Sequence, residues 1–198
     1  DADRVVLNDN GTMVQVAVTD LSAYFDDEIT AMPNLVTVGA GGTASSIAGI
    51  PFYSSDNSIY THNVSGTDDT ASGNSAYGIS AMDAITTGDN NTAVGRSALG
   101  ANTTAGGNVA VGKDALTDNT TGAENVAVGE NSLANNTTAA GNTAVGRGSM
   151  FTNTTGANNV GIGFDALYAN TTGTRNIAIG RGAYDASDTE NDNLAIGY

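Results

Sequence analysis

The stretch NVAVGKDALTDNTTGAE, residues 108–124, runs without a gap into NVAVGENSLANNTTAAG, residues 125–141. Both units open on Asn-Val-Ala-Val-Gly and close around Asn-Thr-Thr. Read outward in both directions, the opening motif recurs in looser form at Asn74, Asn91, Asn108, Asn125, Asn142, Asn159, Asn176 and Asn193, and each step is 17 residues. Seven equal steps with no insertion or deletion mean that every unit occupies an equivalent place in a stack. One unit is expected to make one coil of a parallel β-solenoid or β-roll. The segment Asn57-Ser-Ile-Tyr-Thr falls on the same 17-residue register and is expected to form a degenerate first rung.

Within a unit the opening motif alternates as a strand does. Its second and fourth places hold Thr92 and Val94, Val109 and Val111, Val126 and Val128, Val160 and Ile162, Ile177 and Ile179, while Asn, Ala and Gly point the other way. A second short segment carries Ala98-Leu99, Ala115-Leu116, Ser132-Leu133, Ser149-Met150 and Ala166-Leu167, which predicts two strands and two turns per coil. Gly95, Gly112, Gly129, Gly146, Gly163 and Gly180 end the first strand, where a positive φ or a close backbone approach needs the missing Cβ. Asn-Thr-Thr at 102–104, 119–121, 136–138, 153–155 and 170–172 marks the other corner, with the Asn amides expected to bond from rung to rung. Small Ala and Gly on the inner side imply a thin coil. Val, Ile and Leu are then expected to face outward as a continuous apolar stripe. Three chains packed about a common axis would cover it, so the sequence predicts a homotrimer.

Composition agrees with ordered repetition and excludes several classes. Aromatic residues are 6% of the chain, Trp is absent, and charged residues are 14% against the ~25% usual in globular domains. Disordered chains show the opposite bias, toward charge. The net charge of −15 is concentrated early, since residues 1–90 hold Arg4 as their only base. Such a balance repels phosphate backbones and argues against a nucleic-acid partner. With no cysteine, disulfides and thiolate metal sites are excluded. No apolar run approaches the ~18 residues that membrane insertion of a helix requires. The chain opens on Asp1 without a secretory signal, as a processed chain or an excised segment does.

Three regions are expected: an attachment segment over 1–31, a linker or irregular strands over 32–56, and the repeat shaft over 57–198. Arg4 to Leu7 and Met13 to Val18 flank Asn8-Asp9-Asn10-Gly11, a hairpin signal. Thr19 or Asp20 is placed to cap a short helix over Leu21 to Phe25. Gly39 to Gly49 is rich in Gly, Ala and Ser.

Units such as NTAVGRSALGANTTAGG (91–107) and NVGIGFDALYANTTGTR (159–175) resemble the repeats of bacteriophage tail-fibre proteins. The leader DRVVLNDNGTMVQVAVTDLSAYFDDEI (3–29) is similar to segments of phage virion and tail-fibre proteins. A related Ala-Val/Ile-Gly pattern occurs in the heads of trimeric autotransporter adhesins. The resemblance implies a trimeric extracellular fibre on the virion, a rigid spacer whose partners are other tail proteins and, through a tip, a host-surface glycan or protein. The adhesin resemblance implies the bacterial cell surface and direct binding of host or matrix ligands. A third class, a fibre enzyme that degrades polysaccharide, would need paired carboxylates.

Chemistry-bearing residues are few. His62 is the only histidine and no Gly-x-Ser-x-Gly turn accompanies it, so a Ser-His-Asp arrangement lacks its players. Asp26-Asp27-Glu28, Asp68-Asp69 and Asp188/Glu190/Asp192 are acidic clusters in loop-like sequence, read as solvated turns, with calcium as the alternative. Neither a catalytic residue nor a cofactor or metal ligand is assigned. The Asn-Thr-Thr corners and Asn63-Val-Ser satisfy the N-glycosylation sequon, but repeat geometry accounts for the corners. Phe151 and Tyr168 share one repeat place 17 residues apart and are expected to stack. With Phe164 they are candidate ligand contacts, as a platform for a sugar ring, or packing at the trimer interface.

Overall fold

The computed structural model describes residues 71–186 and 188–198 in full and, before them, the backbone of six strands between residues 4 and 60. The chain divides into two units, Asp1–Pro51 and Phe52–Tyr198.

In the first unit, β1 (Arg4–Asp9) and β2 (Thr12–Ala17) pair antiparallel from Arg4↔Ala17 to Asp9↔Thr12. That register leaves Asn10 and Gly11 between the strands, the dipeptide a tight hairpin favours. β3 (Thr37–Val38), β4 (Ala44–Ile47) and β5 (Ile50–Pro51) form a small antiparallel sheet, so the Gly/Ala/Ser stretch contributes a strand. The expected helix at 21–25 lies outside the described residues.

The second unit is a parallel β-solenoid. Its single sheet runs through β6 (Ile59–Tyr60), β7 (Ser75–Tyr77), β8 (Thr92–Val94), β9 (Val109–Val111), β10 (Val126–Val128), β11 (Thr143–Val145), β12 (Val160–Ile162), β13 (Ile177–Ile179) and β14 (Leu194–Ile196) in sequence order. From β7 onward each residue pairs with the one 17 places later, as in Val109↔Val126 and Ala110↔Ala127. β6 joins the same sheet but pairs Ile59↔Ser75, a step of 16. The degenerate rung therefore exists, shifted by one residue from the register its Asn57 suggests.

The middle residue of each strand faces the coil interior: Ala93, Ala110, Ala127, Ala144 and Ala178 are fully buried, and their strand neighbours are not. Gly161 takes this place in β12 because an added Cβ would lie 2.7 Å from Ser149 Oγ and 3.2 Å from Met150 Cε. Gly95 closes β8 with φ 136, and a Cβ there would collide with the carbonyl oxygen of Gly112. Coils thus touch backbone to backbone at this corner, which only glycine permits.

The second segment differs from expectation twice. It is a turn, so each coil holds one three-residue strand. And its leucines point inward: Leu99, Leu116, Leu133, Met150 and Leu167 are all 0% exposed. The cause is a backbone with left-handed residues two apart, for example Ser97 (φ 57) with Leu99 (φ 52), and Asp114 (φ 56) with Leu116 (φ 51). Left-handed geometry at two residues costs roughly 2–4 kcal/mol per coil, against about 1.5–3 kcal/mol from burying the Leu and about 0.5–1.5 kcal/mol for each hydrogen bond the turn makes to the next coil. Burial and hydrogen bonding together win, and the leucines fill the coil that alanine alone would leave hollow. Their N–H groups bond the next coil, Leu99 to Ala115 O at 3.0 Å and Leu116 to Ser132 O at 3.0 Å.

Two buried asparagine ladders hold the remaining corners. At the first place of each coil, the backbone N–H of Asn125 donates to Asn108 Oδ1 at 2.9 Å and that of Asn142 to Asn125 Oδ1 at 2.9 Å. At the Asn-Thr-Thr corner, Asn119 Nδ2 donates to Asn102 Oδ1 (3.2 Å), Asn136 to Asn119 (2.9 Å), Asn153 to Asn136 (3.0 Å) and Asn170 to Asn153 (2.8 Å). Both ladders also converge on one carbonyl: Ala139 O accepts from Asn125 Nδ2 at 2.8 Å and from Asn136 Nδ2 at 3.0 Å. The rung-to-rung amide bonding expected from the sequence is present. Among the described residues Asn170 Oδ1 has no partner. Asn108 Nδ2 also lacks a partner, and nothing nearby explains it.

Candidate functional site

Three surfaces of the coil stack carry residues that its own fold does not consume. The first is the outer face of the sheet. Positions two and four of β7–β14 hold no charged residue, and thirteen of their sixteen side chains are apolar. They stay open: Val94 is 40% exposed, Ile162 38%, Ile179 38% and Ile196 71%. Parallel sheets are ordinarily covered on both faces. Here the inner face is sealed by alanine and the outer is bare.

The second surface is a seam along one edge, formed by the sixth residue of each coil from Asn91 onward and joined by Asp114. Arg96 meets Asp114 at 3.3 Å, Lys113 meets Asp114 at 2.9 Å and Glu130 at 3.3 Å, and Arg147 meets Glu130 at 3.6 Å. From there the seam changes chemistry. Arg147 lies over the Phe164 ring at 5.4 Å, Arg181 over the same ring at 5.4 Å, and Arg181 over Tyr198 at 5.7 Å. Lys113 is held above the ordinary lysine range by hydrogen bonds with the Asp114 and Glu130 carboxylates. All these groups but Asp114, whose side chain is 21% accessible, are exposed, so each link contributes little.

The third is a groove beside that seam. Phe151 and Tyr168 stack with centroids 5.4 Å apart and planes 13° off parallel, as their 17-residue spacing predicts. Phe164, the third candidate, is not part of this platform. It stands in the seam, with a guanidinium on either side of its ring. Between the two columns lie adjoining clefts. One of about 250 Å³ is lined by Asn131, Arg147, Gly148, Phe151, Asp165 and Tyr168. The other, about 370 Å³, is lined by Phe164, Asp165, Arg181, Gly182, Asp185 and Tyr198. Asp165 belongs to both.

Gly148, Asp165 and Gly182 occupy the seventh place of successive coils, the groove floor. Three earlier coils fill it with Ser97, Asp114 and Asn131, and their tenth places are Gly100, Thr117 and Ala134. The floor is vacant at Gly148 and Gly182 and the tenth place carries a ring at Phe151 and Tyr168, all within the three coils that start at Asn142, Asn159 and Asn176. Asp165 folds over Gly148, where a Cβ would collide with its Oδ1. Sequence reading found the rings but missed Arg147, Asp165, Arg181 and the two floor glycines. Their signal was available in the 17-residue spacing of Arg147, Phe164, Arg181 and Tyr198.

The other candidates are not brought together into a site. Asp192 pairs with Arg175 at 2.6 Å, and hydrogen bonding by Arg175 holds its carboxyl below the usual range. Among the described residues no three His, Cys, Asp or Glu side chains are grouped to hold a metal, and no helix is long and apolar enough to cross a membrane. His62, Asp26-Asp27-Glu28, Asp68-Asp69 and Asn63 lie outside the described residues. The corner asparagines Asn102, Asn119, Asn136, Asn153 and Asn170 are 0% exposed, so the folded coil offers none of them to a glycosylating enzyme.

The class the fold defines is a parallel β-solenoid with one coil per 17 residues. No known protein family, curated protein or solved structure matches the chain.

Proposed function

We propose that the coil stack is the shaft of a homotrimeric extracellular fibre, a rigid spacer of the phage tail-fibre kind that joins a particle to a receptor-binding tip. The observation that carries this reading is the bare outer face of the sheet, uncharged over eight consecutive strands. A side chain with about 40% of its area open forgoes a corresponding part of the ~1.5–3 kcal/mol that burial supplies. Eight of the thirteen apolar residues are open to about that degree or more and five are half-buried, which together amounts to on the order of 10 kcal/mol per chain. Three chains supply three such faces, enough to offset association costs of ~4–15 kcal/mol for each joining step.

Rigidity has its own support, since every coil bonds the next through sheet, glycine corner and two asparagine ladders. The seam's salt links and guanidinium–ring contacts add a fourth line of contact along the axis.

Sedimentation equilibrium of the purified chain tests the reading. A mass of three chains is expected, and Val128→Asp with Val145→Asp should release monomers. A folded wild-type monomer at micromolar concentration would remove it. The second reading, a bacterial surface adhesin that binds ligands along its repeat flank, is favoured by the groove beside Tyr168. Neighbouring tail genes or a membrane-anchor segment encoded with the chain separate the two.

A further inference from the structure

We propose that the groove between the Phe164 seam and the Phe151–Tyr168 stack binds a neutral oligosaccharide, with one pyranose ring lying on the Tyr168 face. The groove is built within one chain, so the inference does not rest on the trimer.

The stack supplies the platform. Tyr168 is 39% exposed and is backed on one side by Phe151, which fixes its plane. Its other face turns toward the coil where Asp185 has the same place. A sugar presents a C–H face to such a ring and hydroxyls around its edge, and the hydroxyls need both donors and acceptors.

Both are present and unspent. The Asp165 side chain accepts no hydrogen bond from any described residue, although it lies in both clefts. Arg181 is held between two ring faces and has no carboxylate partner among the described residues, which fixes the guanidinium and leaves its N–H donors available. Asp185 completes the wider cleft with a second acceptor.

Mixed sign selects the ligand class. Two carboxylates oppose an anion, and Arg147 with Arg181 opposes a cation. A peptide adding as a strand would need free backbone groups, and here the N–H groups of Gly148, Asp165 and Gly182 are committed to Glu130, Arg147 and Phe164 carbonyls. A neutral polyol with an apolar face remains. Coils advance ~4.8 Å, close to the length of a pyranose unit, and the two clefts centre two coils apart on Gly148 and Gly182, so they suit alternate units of a linear chain with the unit between them over Asp165.

Gly182→Asn provides a test that removes nothing. Asn131 already occupies the equivalent place with φ 58, so the coil accepts this residue, and an added Cβ at Gly182 meets nothing closer than Asp185 Oδ2 at 3.4 Å. The full chain, Gly182→Asn, Tyr168→Ala and Asp165→Asn would be titrated with maltotetraose, cellotetraose and chitotetraose by ligand-observed NMR, with sialyllactose as the anionic comparator. We expect at least one neutral tetrasaccharide to bind the wild type, each variant to weaken it by about tenfold or more, and sialyllactose to bind least. Thermal midpoints of Gly182→Asn and Asp165→Asn should stay near wild type. Three results would each overturn the assignment: no binding of any neutral tetrasaccharide, binding that survives both Gly182→Asn and Tyr168→Ala, or preference for sialyllactose.

Discussion

Asparagine at the Asn-Thr-Thr corner does work that no other side chain of its size can do, because one amide donates and accepts along the same axis. Asn136 Nδ2 donates to Asn119 Oδ1 and to Ala139 O, while its Oδ1 accepts from Asn153 Nδ2 at 3.0 Å, all with 0% exposure. Asn136→Ala removes these bonds and leaves Asn119 Oδ1 buried without a donor, so a loss of about 2–4 kcal/mol is expected in urea denaturation. Asn136→Asp should cost more, since a carboxylate there faces Asn119 Oδ1 and the Ala139 carbonyl with no proton to offer. Equal stability for the two variants would show that the ladder is not what the corner depends on. Glycine at the strand end is constrained more tightly. In Gly129→Ala the new Cβ would lie 2.6 Å from the Gly146 carbonyl at a φ of 135, so both the contact and the conformation oppose it. A penalty above about 3 kcal/mol, read from the same denaturation curves, is expected.

At the scale of the element, strand and turn were not equally legible in the sequence, and the reason is periodicity. Asn, Ala and Gly inside with Val and Ile outside followed from the two-residue alternation of a strand, and β8 to β13 keep it. Leu116 obeyed no such rule. Two left-handed residues in a three-residue span redirect the chain, and leucine is a residue whose φ ordinarily argues against that geometry. Its inward orientation is thus set by the coil's need for volume, which local propensity does not encode. The seam was hidden for another reason: its members sit one per coil, and Arg147, Phe164 and Arg181 look unrelated until the 17-residue step is applied. Because the seam is exposed, its charges should matter little and should respond to salt. Glu130→Lys sets like charges against Lys113 and Arg147 and is expected to cost about 1 kcal/mol or less at low salt, fading as screening increases. The Arg175–Asp192 pair gives a sign that can be checked. Asp192's folded pKa is depressed by Arg175, so its contribution is present above the unfolded carboxylate range and is lost as pH falls through the folded value. An NMR titration should place the Asp192 midpoint below that of an ordinary Asp, and Arg175→Gln should bring it back up.

For the coil stack taken whole, the regular step makes stability a sum over neighbouring coils, and deletion of entire coils measures that sum. Removing residues 108–124 joins the coil of Asn91 to that of Asn125. Asn125 then meets Asn91, Gly95 meets Gly129, Asn102 meets Asn136, and in the seam Arg96 meets Glu130, an opposite charge. Removing residues 125–141 preserves the same ladders but sets Lys113 against Arg147. Both shortened chains should fold and melt cooperatively, each somewhat less stable than the parent by one coil's contacts. The second should be weaker than the first by up to about 1 kcal/mol at low salt, a gap that closes near ~1 M salt where screening reaches about 3 Å. Removing only residues 108–115 is a different perturbation, although it deletes fewer side chains. It leaves a coil that cannot return in register, so the asparagine and glycine corners after the cut no longer meet those before it. Loss of the cooperative transition is expected there. If the eight-residue deletion instead melts like either whole-coil deletion, the coils are not coupled through their fixed step, and the rigid-shaft reading loses its physical basis.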